Sequence, residues 1–411
     1  MQRADGITSL LRDSVAMILA GGEGQRLYPL TRLRAKPAVR FGGVYRIMDF
    51  TLSNCLHSGL RRIYLMTQYA ATSMARHVYN AWLPLISEEL DEFIEMLPPQ
   101  RMFADRWYAG TADAVFQNLI VLQERRPSRV FLLSGDHIYA MDYSQLIARQ
   151  EETGADLVIA CIPRPLEEAR GLGVLQVDGD GRIVGFQEKP EHPAPMPGRP
   201  EYALVSMGVY LWRTEALVRK VAADATREGA HDFGKEILPR MVEEKEAVYA
   251  YFFEDPQTGD PGYWRDIGTL DSFWQTTLDL VGPLPQLNLY DEAWPVYGTR
   301  LRYPPAKCVS GAGLEITDTL LSPGCIISGA RVHSSVLSPG VRIAEGANVE
   351  ASIIMDGVTI GAGARVTKTI LDEGVVIPAG YEVGGDPERD RRRFVVTEGG
   401  VTVVPVGAML D

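Results

Sequence analysis

A repeat of 17 residues in the last quarter of the chain restricts its fold more than any other feature of the sequence. Two sets of apolar residues keep this interval: Ile326, Ile343, Ile360 and Ile377, and Val332, Val349, Val366 and Val383. Turn glycines keep it too, at Gly340, Gly357 and Gly374. Glycine and β-branched residues disfavour helices, so the pattern predicts a β-solenoid. We expect about four coils of roughly three short strands, stacked because a single coil cannot bury its own face.

A glycine-rich turn near the N-terminus is the second constraint. Residues 15–20 are nearly all apolar, which is typical of a strand covered on both faces of a parallel sheet. Three glycines and two cations follow: Gly21, Gly22 and Gly24, then Arg26 and Lys36. Backbone N–H groups in such a turn bind anions. A dinucleotide-binding loop needs glycine where Leu27 stands, and an ATPase loop needs Gly-Lys-Ser/Thr. The turn therefore predicts another kind of phosphate site, with a tight connection that binds no ligand as the alternative.

Apolar runs alternate with helix-like stretches over the first two thirds of the chain, which predicts an α/β domain. Strands are expected at 15–20, 62–67, 130–134 and 157–162. Ligands bind at the carboxyl edge of such sheets. Asp136 follows the third strand, where its carboxylate suits either a hard cation or a capped turn. We also expect Thr111 or Asp113 to cap a helix whose N-terminus favours phosphate.

The composition of the 411-residue chain excludes several classes of function. Its length predicts two domains. A formal charge of −12 argues against nucleic-acid binding and against anionic membranes. The sequence shows neither a membrane span nor a secretory signal, so we expect a cytoplasmic location. The cysteines lack metal-binding spacing and are expected to be reduced and buried: Cys55, Cys161, Cys308 and Cys325.

A series of motifs resembles the bacterial ADP-glucose pyrophosphorylases, also called glucose-1-phosphate adenylyltransferases. The motifs occur in that family's order: 17–27, 46–50, 107–114, 135–139, 188–190, 231–235 and 263–269. The resemblance implies a Rossmann-like nucleotidyltransferase domain with a mixed, mostly parallel sheet at 1–285, a connector at 286–306 and a left-handed parallel β-helix at 307–411. It also implies transfer of AMP from ATP to α-D-glucose 1-phosphate, which gives ADP-glucose and pyrophosphate for glycogen or α-glucan synthesis.

The resemblance also implies roles for residues at matching positions. Asp136 and Asp266 would hold Mg²⁺, although Asp266 could instead pair with Arg265. The triphosphate would be bound by Arg26 and Lys36. The nucleotide would contact Gly21, Gly22, Gly24, Gln68, Tyr108 and Gly110, and the sugar phosphate would contact Lys189, Glu188, Gly173, Ser206 and Asp232. Because a sugar phosphate is already ionised at neutral pH, the reaction needs no general base, and we interpret His137 as structural.

A basic segment indicates regulation by anions. Residues 26–48 contain six cations and no acid. The resemblance implies a homotetramer and an anionic metabolite effector, whose candidate ligands are Arg34, Arg40 and Arg46 together with Arg392 and Arg393. Many relatives have a cation where this chain has Leu33, which predicts weak activation by fructose 1,6-bisphosphate.

Three alternatives stay open at this point. A pyrophosphorylase for another nucleotide sugar would share the glycine-rich loop, and a catalytically silent regulatory subunit would share the whole fold. An acyltransferase would use the solenoid, in which His333 is the only histidine of the repeat. The motifs at 107–114 and 263–269 favour the adenylyl branch. Joint retention of the candidate catalytic cations and carboxylate favours an active enzyme: Arg26, Lys36, Asp136 and Lys189.

Overall fold

The computed structural model describes residues 2–99, 107–255, 258–300, 302–311 and 313–410. The first part of the chain is an α/β domain. Its strands are β1 (Ser14–Leu19), β2 (Arg40–Phe41), β3 (Tyr45–Arg46), β4 (Arg62–Met66), β5 (Phe93–Leu97), β6 (Arg129–Ser134), β7 (His137–Tyr139), β8 (Leu157–Pro165), β9 (Gly173–Val177), β10 (Ile183–Glu188), β11 (Tyr202–Arg213), β12 (Val248–Phe252) and β13 (Trp264–Asp266). Its helices are α1 (Gln2–Arg12), α2 (Ile47–His57), α3 (Ala71–His77), α4 (Thr111–Gln117), α5 (Leu119–Arg125), α6 (Ser144–Thr153), α7 (Leu166–Ala169), α8 (Thr214–Ala225), α9 (Leu238–Glu243) and α10 (Leu270–Leu278).

A mixed sheet of nine strands forms the centre of this domain, with the order β10-β9-β11-β6-β1-β4-β5; β8 also pairs with β11, and β12 pairs with β8. The strands β6, β1, β4 and β5 are parallel, whereas β11 runs antiparallel to β6, β8 and β9. Side chains of β1 alternate between the two faces: Ala16 and Ile18 join one buried cluster, and Val15 and Met17 join the other. The four predicted strands are confirmed, and β8 extends three residues further, to Pro165.

The predicted solenoid is confirmed as a parallel β-helix. One face is formed by β14 (Lys307–Val309), β17 (Ile326–Ser328), β20 (Arg342–Ile343), β23 (Thr359–Ile360) and β26 (Val376–Ile377). The second is formed by β15 (Glu315–Thr317), β18 (Arg331–His333), β21 (Asn348–Glu350), β24 (Arg365–Thr367) and β27 (Glu382–Val383). The third contains β16 (Leu320–Leu321), β19 (Val336–Leu337), β22 (Ile353–Ile354), β25 (Thr369–Leu371), β29 (Thr402–Val404) and β28 (Val395–Val396), and α11 (Pro387–Asp390) precedes β28. Left-handed winding stays a prediction.

The β-helix has five strands on each of its first two faces, so the expectation of about four coils was too low. The first coil does not keep the 17-residue interval: Lys307 pairs with Ile326, 19 residues later, and Glu315 pairs with Arg331, 16 residues later. The assignment of Ile326 to the repeat was also wrong. Ile327 pairs with Ile343 and is the buried member of its strand.

The C-terminal tail packs on the body, as predicted, because Val401, Val403 and Val404 are buried. Three of the four cysteines are buried and reduced, and burial raises the pKa of the Cys325 thiol to about 11. The prediction was wrong for Cys308, which is exposed. It lies on β14, the end strand of its sheet, where no further coil covers it.

One apolar cluster spans the two domains. Phe273 of α10 packs in the same cluster as Ile353, Ile370 and Val403 of the β-helix. A hydrogen bond of 2.8 Å from the Trp274 indole to the Ala351 carbonyl adds a polar contact across this boundary. The domains therefore share buried surface, and burial of apolar surface is the main stabilising term in such a contact. Within the described residues, no helix combines the length and apolar composition that a membrane crossing requires.

Val403→Ala should destabilise the protein by about 1.5–3 kcal/mol, because it removes a fully buried branched side chain from the shared cluster. Val376→Ala is the matched control: the same atoms are removed from a side chain that is 57% exposed, so the change should stay within about 0.5 kcal/mol. Urea denaturation followed by circular dichroism measures both. Equal midpoints for the two variants would contradict the shared core.

Candidate active site

The glycine-rich turn leaves β1 at the carboxyl edge of the sheet. Gly24 has a φ of 62°, and a Cβ there would lie 2.9 Å from the Cβ of Lys36. Only glycine meets both conditions without strain. A short 3-10 turn, Gln25–Leu27, follows and leaves Arg26 exposed. A cavity of about 370 Å³ is lined by this turn and by Lys36 and Asp136.

Lys36 joins two carboxylates that come from distant parts of the chain. Its ammonium lies 2.6 Å from Asp136 Oδ2 and 3.4 Å from Asp266 Oδ1. Asp266 is brought to this point by β13, which pairs with β7 so that Asp266 is opposite His137. Burial alone would lower the pKa of Lys36, but the two carboxylates outweigh burial and raise it. Burial opposes the ionised form of Asp136, yet Lys36 and His137 hold its pKa well below the usual range. Lys36 and Asp136 are therefore charged in neutral solution.

The same carboxylates form a candidate metal site. Ligand atoms of Asp136, His137 and Asp266 all lie within 4.8 Å of one another, a cluster found among the described residues. His137 Nδ1 donates to the Met207 carbonyl at 3.0 Å, and its Nε2 lies 3.5 Å from Asp136 Oδ1 and 3.7 Å from Asp266 Oδ1. The sequence interpretation of His137 as structural stays a prediction, and it did not anticipate this position beside the two carboxylates. Ser134 was also missed: its hydroxyl donates to Asp136 Oδ1 at 2.5 Å.

The candidate nucleotide residues line a second cavity of about 340 Å³, next to the first. It is bounded by Gly21, Gly22, Gln68, Tyr108, Gly110, Thr111, Asp136 and Asp232, among others. The Gln68 side chain accepts a hydrogen bond of 2.8 Å from the Tyr108 main-chain N–H. The Tyr108 hydroxyl is fixed by the Leu97 carbonyl and the Asn118 amide. The structure thus brings the predicted nucleotide residues together around one opening, except Gly24, which lines the first cavity.

The candidate sugar residues meet where β9 begins and β10 ends, beside the middle of β11. Gly173 pairs with Glu188 across two strands. Ser206 donates to the Tyr210 hydroxyl at 3.1 Å. Burial, together with the nearby carboxylates of Glu188 and Asp232, raises the pKa of Tyr210 to about 12. Tyr210 therefore lies among the predicted sugar residues, although the motif comparison did not point to it.

Lys189 is the exposed member of this group. Its side chain is 59% exposed, its backbone has a φ of 47°, and its ammonium lies 3.4 Å from Glu188 Oε1. An exposed ammonium beside a half-buried carboxylate is free to meet an incoming anion. Burial raises the pKa of Glu188, as does Asp232, and the attraction of Lys189 only partly offsets these effects.

The expectation that Thr111 or Asp113 caps α4 was wrong. Gly110 is the N-cap residue, and no side chain caps this helix. The Ala112 and Asp113 N–H groups instead donate to the His231 carbonyl, at 2.8 and 3.3 Å. That carbonyl takes the donors a phosphate would need, so the start of α4 does not favour phosphate as we expected.

The basic segment does not form a solvated face. Arg34, Lys36 and Arg40 are all buried. Arg34 lies 3.0 Å from both Asp372 and Glu373, and Arg40 lies 2.5 Å from Asp356. These acids lie on turns of the β-helix, so two of the candidate effector residues sit where the domains meet.

Of the other candidate effector residues, one lies near Arg34 and Arg40. Burial lowers the pKa of Arg46, and the nearby positive charges of Arg40 and Arg34 lower it further, so Arg46 belongs to the same group. Arg393 donates instead to the Met409 carbonyl at 2.9 Å and to the Tyr381 hydroxyl at 3.2 Å. Among the described residues, no hydrogen bond or ion pair joins it to Arg34, Arg40 or Arg46. Arg392 is exposed.

Comparison with known proteins agrees with this geometry. Residues 15–281 match the family model described as nucleotidyl transferase, whose members generally use a divalent metal ion, and residues 304–404 match the model described as GlmU-like, C-terminal hexapeptide. The chain is 49% identical over 407 residues to a glucose-1-phosphate adenylyltransferase of Saccharophagus degradans, covering 97% of this chain and 95% of the relative. It is 46% identical over 402 residues to glucose-1-phosphate adenylyltransferase 2 of Alkalilimnicola ehrlichii, covering 97% and 94%. The chain belongs to the nucleotidyl transferases and, within them, to the glucose-1-phosphate adenylyltransferase family.

Glu188→Gln should stabilise the folded protein near neutral pH. The raised pKa of Glu188 means that the folded state disfavours its ionised form, so stability falls as pH rises from the ordinary glutamate pKa of 4.5 through the folded-state pKa. We expect the variant to melt at a higher temperature than the wild type at about pH 7.5, and the difference to disappear below about pH 4.

Glu191→Gln provides the matched control, because Glu191 is exposed nearby on the same segment. Differential scanning calorimetry across this pH range gives the comparison. A lower melting temperature for Glu188→Gln at neutral pH would show that its charge stabilises the fold, contrary to our reading.

Proposed function

We propose that this chain transfers the AMP moiety of ATP to α-D-glucose 1-phosphate, giving ADP-glucose and pyrophosphate for glycogen or α-glucan synthesis. A phosphate oxygen of the sugar phosphate attacks the α-phosphorus, and the bond from that phosphorus to the oxygen bridging to the β-phosphate breaks. The observation that carries the proposal is the cluster of Lys36, Asp136 and Asp266, which lies beside the cavity lined by both nucleotide and sugar candidates. The names of the relatives support the same reaction.

Each candidate residue has a binding role that follows from its position. Lys36 and Arg26 lie by the glycine-rich turn and neutralise the triphosphate. Lys189 binds the phosphate of the sugar substrate, since an ammonium is a compact charge for phosphate. Glu188 and Asp232 accept hydrogen bonds from sugar hydroxyls. Chemistry of this kind demands alignment and charge stabilisation rather than covalent participation of the protein.

We propose Mg²⁺ as the metal. Asp136 and Asp266 offer the oxygen ligands that this hard cation prefers, and the spacing of the cluster suits a single ion. When bound, the ion supplies charge neutralisation on the phosphates. Ser134 keeps one oxygen of Asp136 fixed, so the carboxylate is oriented in advance.

Pyrophosphate release from ATP, CTP, GTP and UTP with glucose 1-phosphate tests the proposed reaction. We expect ATP to give the highest kcat/KM. A higher kcat/KM with UTP would point to a pyrophosphorylase for another nucleotide sugar, and no turnover with any nucleotide would point to a silent regulatory subunit.

Asp136→Asn should lower kcat on the order of a hundredfold or more with little change in KM, because it keeps the shape but removes the charge that binds metal. Asp180→Asn, the same change at an exposed turn, is the control and should leave kcat unchanged. Steady-state kinetics in saturating Mg²⁺ measures both. A near-normal kcat for Asp136→Asn would remove Asp136 from the proposed metal site.

Lys189→Ala should raise the KM for glucose 1-phosphate and leave the KM for ATP unchanged. The sugar phosphate is charged throughout the reaction, so Lys189 binds it about equally in the ground and transition states. Lys307→Ala removes an exposed lysine of the β-helix and serves as control. If the KM for ATP rises instead, the two phosphate sites have been assigned in reverse.

We further propose a cytoplasmic homotetramer regulated by anionic metabolites. A phosphorylated effector would compete with Asp356, Asp372 and Glu373 for Arg34 and Arg40 at the domain boundary. Burial raises the pKa values of Asp356 and Asp372 despite their arginine partners. Keeping these acids ionised at the boundary therefore costs free energy, and an effector that replaced them would remove that cost.

Fructose 1,6-bisphosphate should activate weakly, and fructose 6-phosphate better, because the exposed Leu33 adds no charge to this group. Initial rates with each sugar phosphate check this, alongside light scattering for the subunit count. Strong activation by fructose 1,6-bisphosphate that survives both Arg40→Ala and Arg46→Ala, or a monomer at micromolar concentration, would contradict the proposal.

A further inference from the structure

We infer that Thr111 joins the nucleotide and sugar sites into one unit and makes the two substrate affinities depend on each other. The inference rests on the proposed function, which places the nucleotide beside residues 108–113, here the nucleotide segment, and the sugar beside residues 230–235, here the sugar segment. Thr111 is a positioning residue in this scheme. No sequence motif assigns it this role.

The two segments are in direct contact through main-chain and side-chain hydrogen bonds. The Thr111 hydroxyl donates to Asp232 Oδ2 at 3.0 Å and accepts from the Phe233 N–H at 3.0 Å. Two N–H groups at the start of α4 donate to the His231 carbonyl. A Cβ on Gly110 would lie 2.1 Å from the Ala230 carbonyl oxygen, so the chains approach as closely as glycine allows. Displacement of one segment must therefore move the other.

The sugar segment is held rigidly on its other side. His231 has a φ of 51°, and its ring donates to Asp224 at 2.9 Å. The two carboxylate oxygens of Glu236 accept from the Ala230 and Asp232 N–H groups, at 3.1 and 2.8 Å. These contacts fix the direction in which the His231 carbonyl points, which is toward α4. A displacement of the sugar segment is therefore passed on to α4 and is not taken up by a change within the turn.

Asp232 is the point at which the two sites meet. Its Oδ1 accepts from the Gly234 and Lys235 N–H groups, while its Oδ2 accepts from Thr111. A sugar hydroxyl that binds Asp232 changes the hydrogen bonding of Oδ2, the oxygen that accepts from Thr111. Thr111 in turn belongs to the segment that carries Tyr108. Binding at either site therefore orders the segment that forms the other, and such coupling is reciprocal.

The test measures the affinity for α,β-methylene ATP, which cannot release pyrophosphate, with and without saturating glucose 1-phosphate by isothermal titration calorimetry in Mg²⁺. The ratio of the two dissociation constants is the coupling factor. We expect a factor on the order of fivefold or more in the wild type. Thr111→Val keeps the shape and removes the hydroxyl, so the factor should fall to about one.

Two variants serve as matched controls. Thr111→Ser restores the hydroxyl and should restore the coupling factor. Thr153→Val makes the same change at the end of α6, where the hydroxyl donates to the Arg149 carbonyl of the same helix, and should keep the wild-type factor. A factor unchanged in Thr111→Val, or a wild type without coupling, would overturn the inference.

If Thr111→Val fails to fold, Glu236→Gln takes its place, since an amide offers one acceptor oxygen where the turn needs two. Its coupling factor should also fall, and an unchanged factor would again overturn the inference. Failure of the proposed function looks different. Tight binding of the uridine analogue in place of the adenosine analogue would reject the proposed nucleotide, and the coupling factor would then be measured with the uridine analogue.

Discussion

The ammonium group of Lys36 is the interaction on which the arrangement of the active site depends. It lies between Asp136, which follows β6, and Asp266, which ends β13. Two carboxylates placed this close in a half-buried site would repel each other, and a cation between them removes that repulsion. Three segments that together span 230 residues of the sequence are thereby held at one point. The cation candidates and the substrate cavities are arranged around it.

The domain boundary also contains buried cations that are paired with carboxylates. Arg34 and Arg40 are buried, and their charges are met by acids on the turns of the β-helix. Buried ion pairs contribute little net stability, because desolvation offsets their attraction. The apolar cluster around Phe273 and Val403 therefore stabilises the contact between the domains, while the ion pairs determine their relative orientation. A charged ligand at the proposed effector site would therefore act on orientation more than on stability.

Sequence patterns predicted the features that depend on local periodicity. The β-helix follows from the 17-residue interval, and the strand ends around the site follow from apolar runs. The first coil was missed because its steps of 19 and 16 residues break the interval. The carbonyl that occupies the start of α4 belongs to His231, about 120 residues away, and no local rule reveals it. Likewise, residues 26–48 contain no acid, because the partners of their buried cations lie far away in sequence: those of Arg34 and Arg40 are in the β-helix, and those of Lys36 follow β6 and end β13.

The β-helix has two different ends. At one end β14 closes the stack as an ordinary parallel strand, with an open row of backbone groups. At the other end β29 joins the third face after the excursion through α11, and β28 pairs with it in the opposite direction. A reversed strand cannot template another coil of the same kind. Duplication of a 17-residue unit could therefore lengthen this domain only by insertion before β29, so the C-terminal hairpin acts as a terminator of repeat growth.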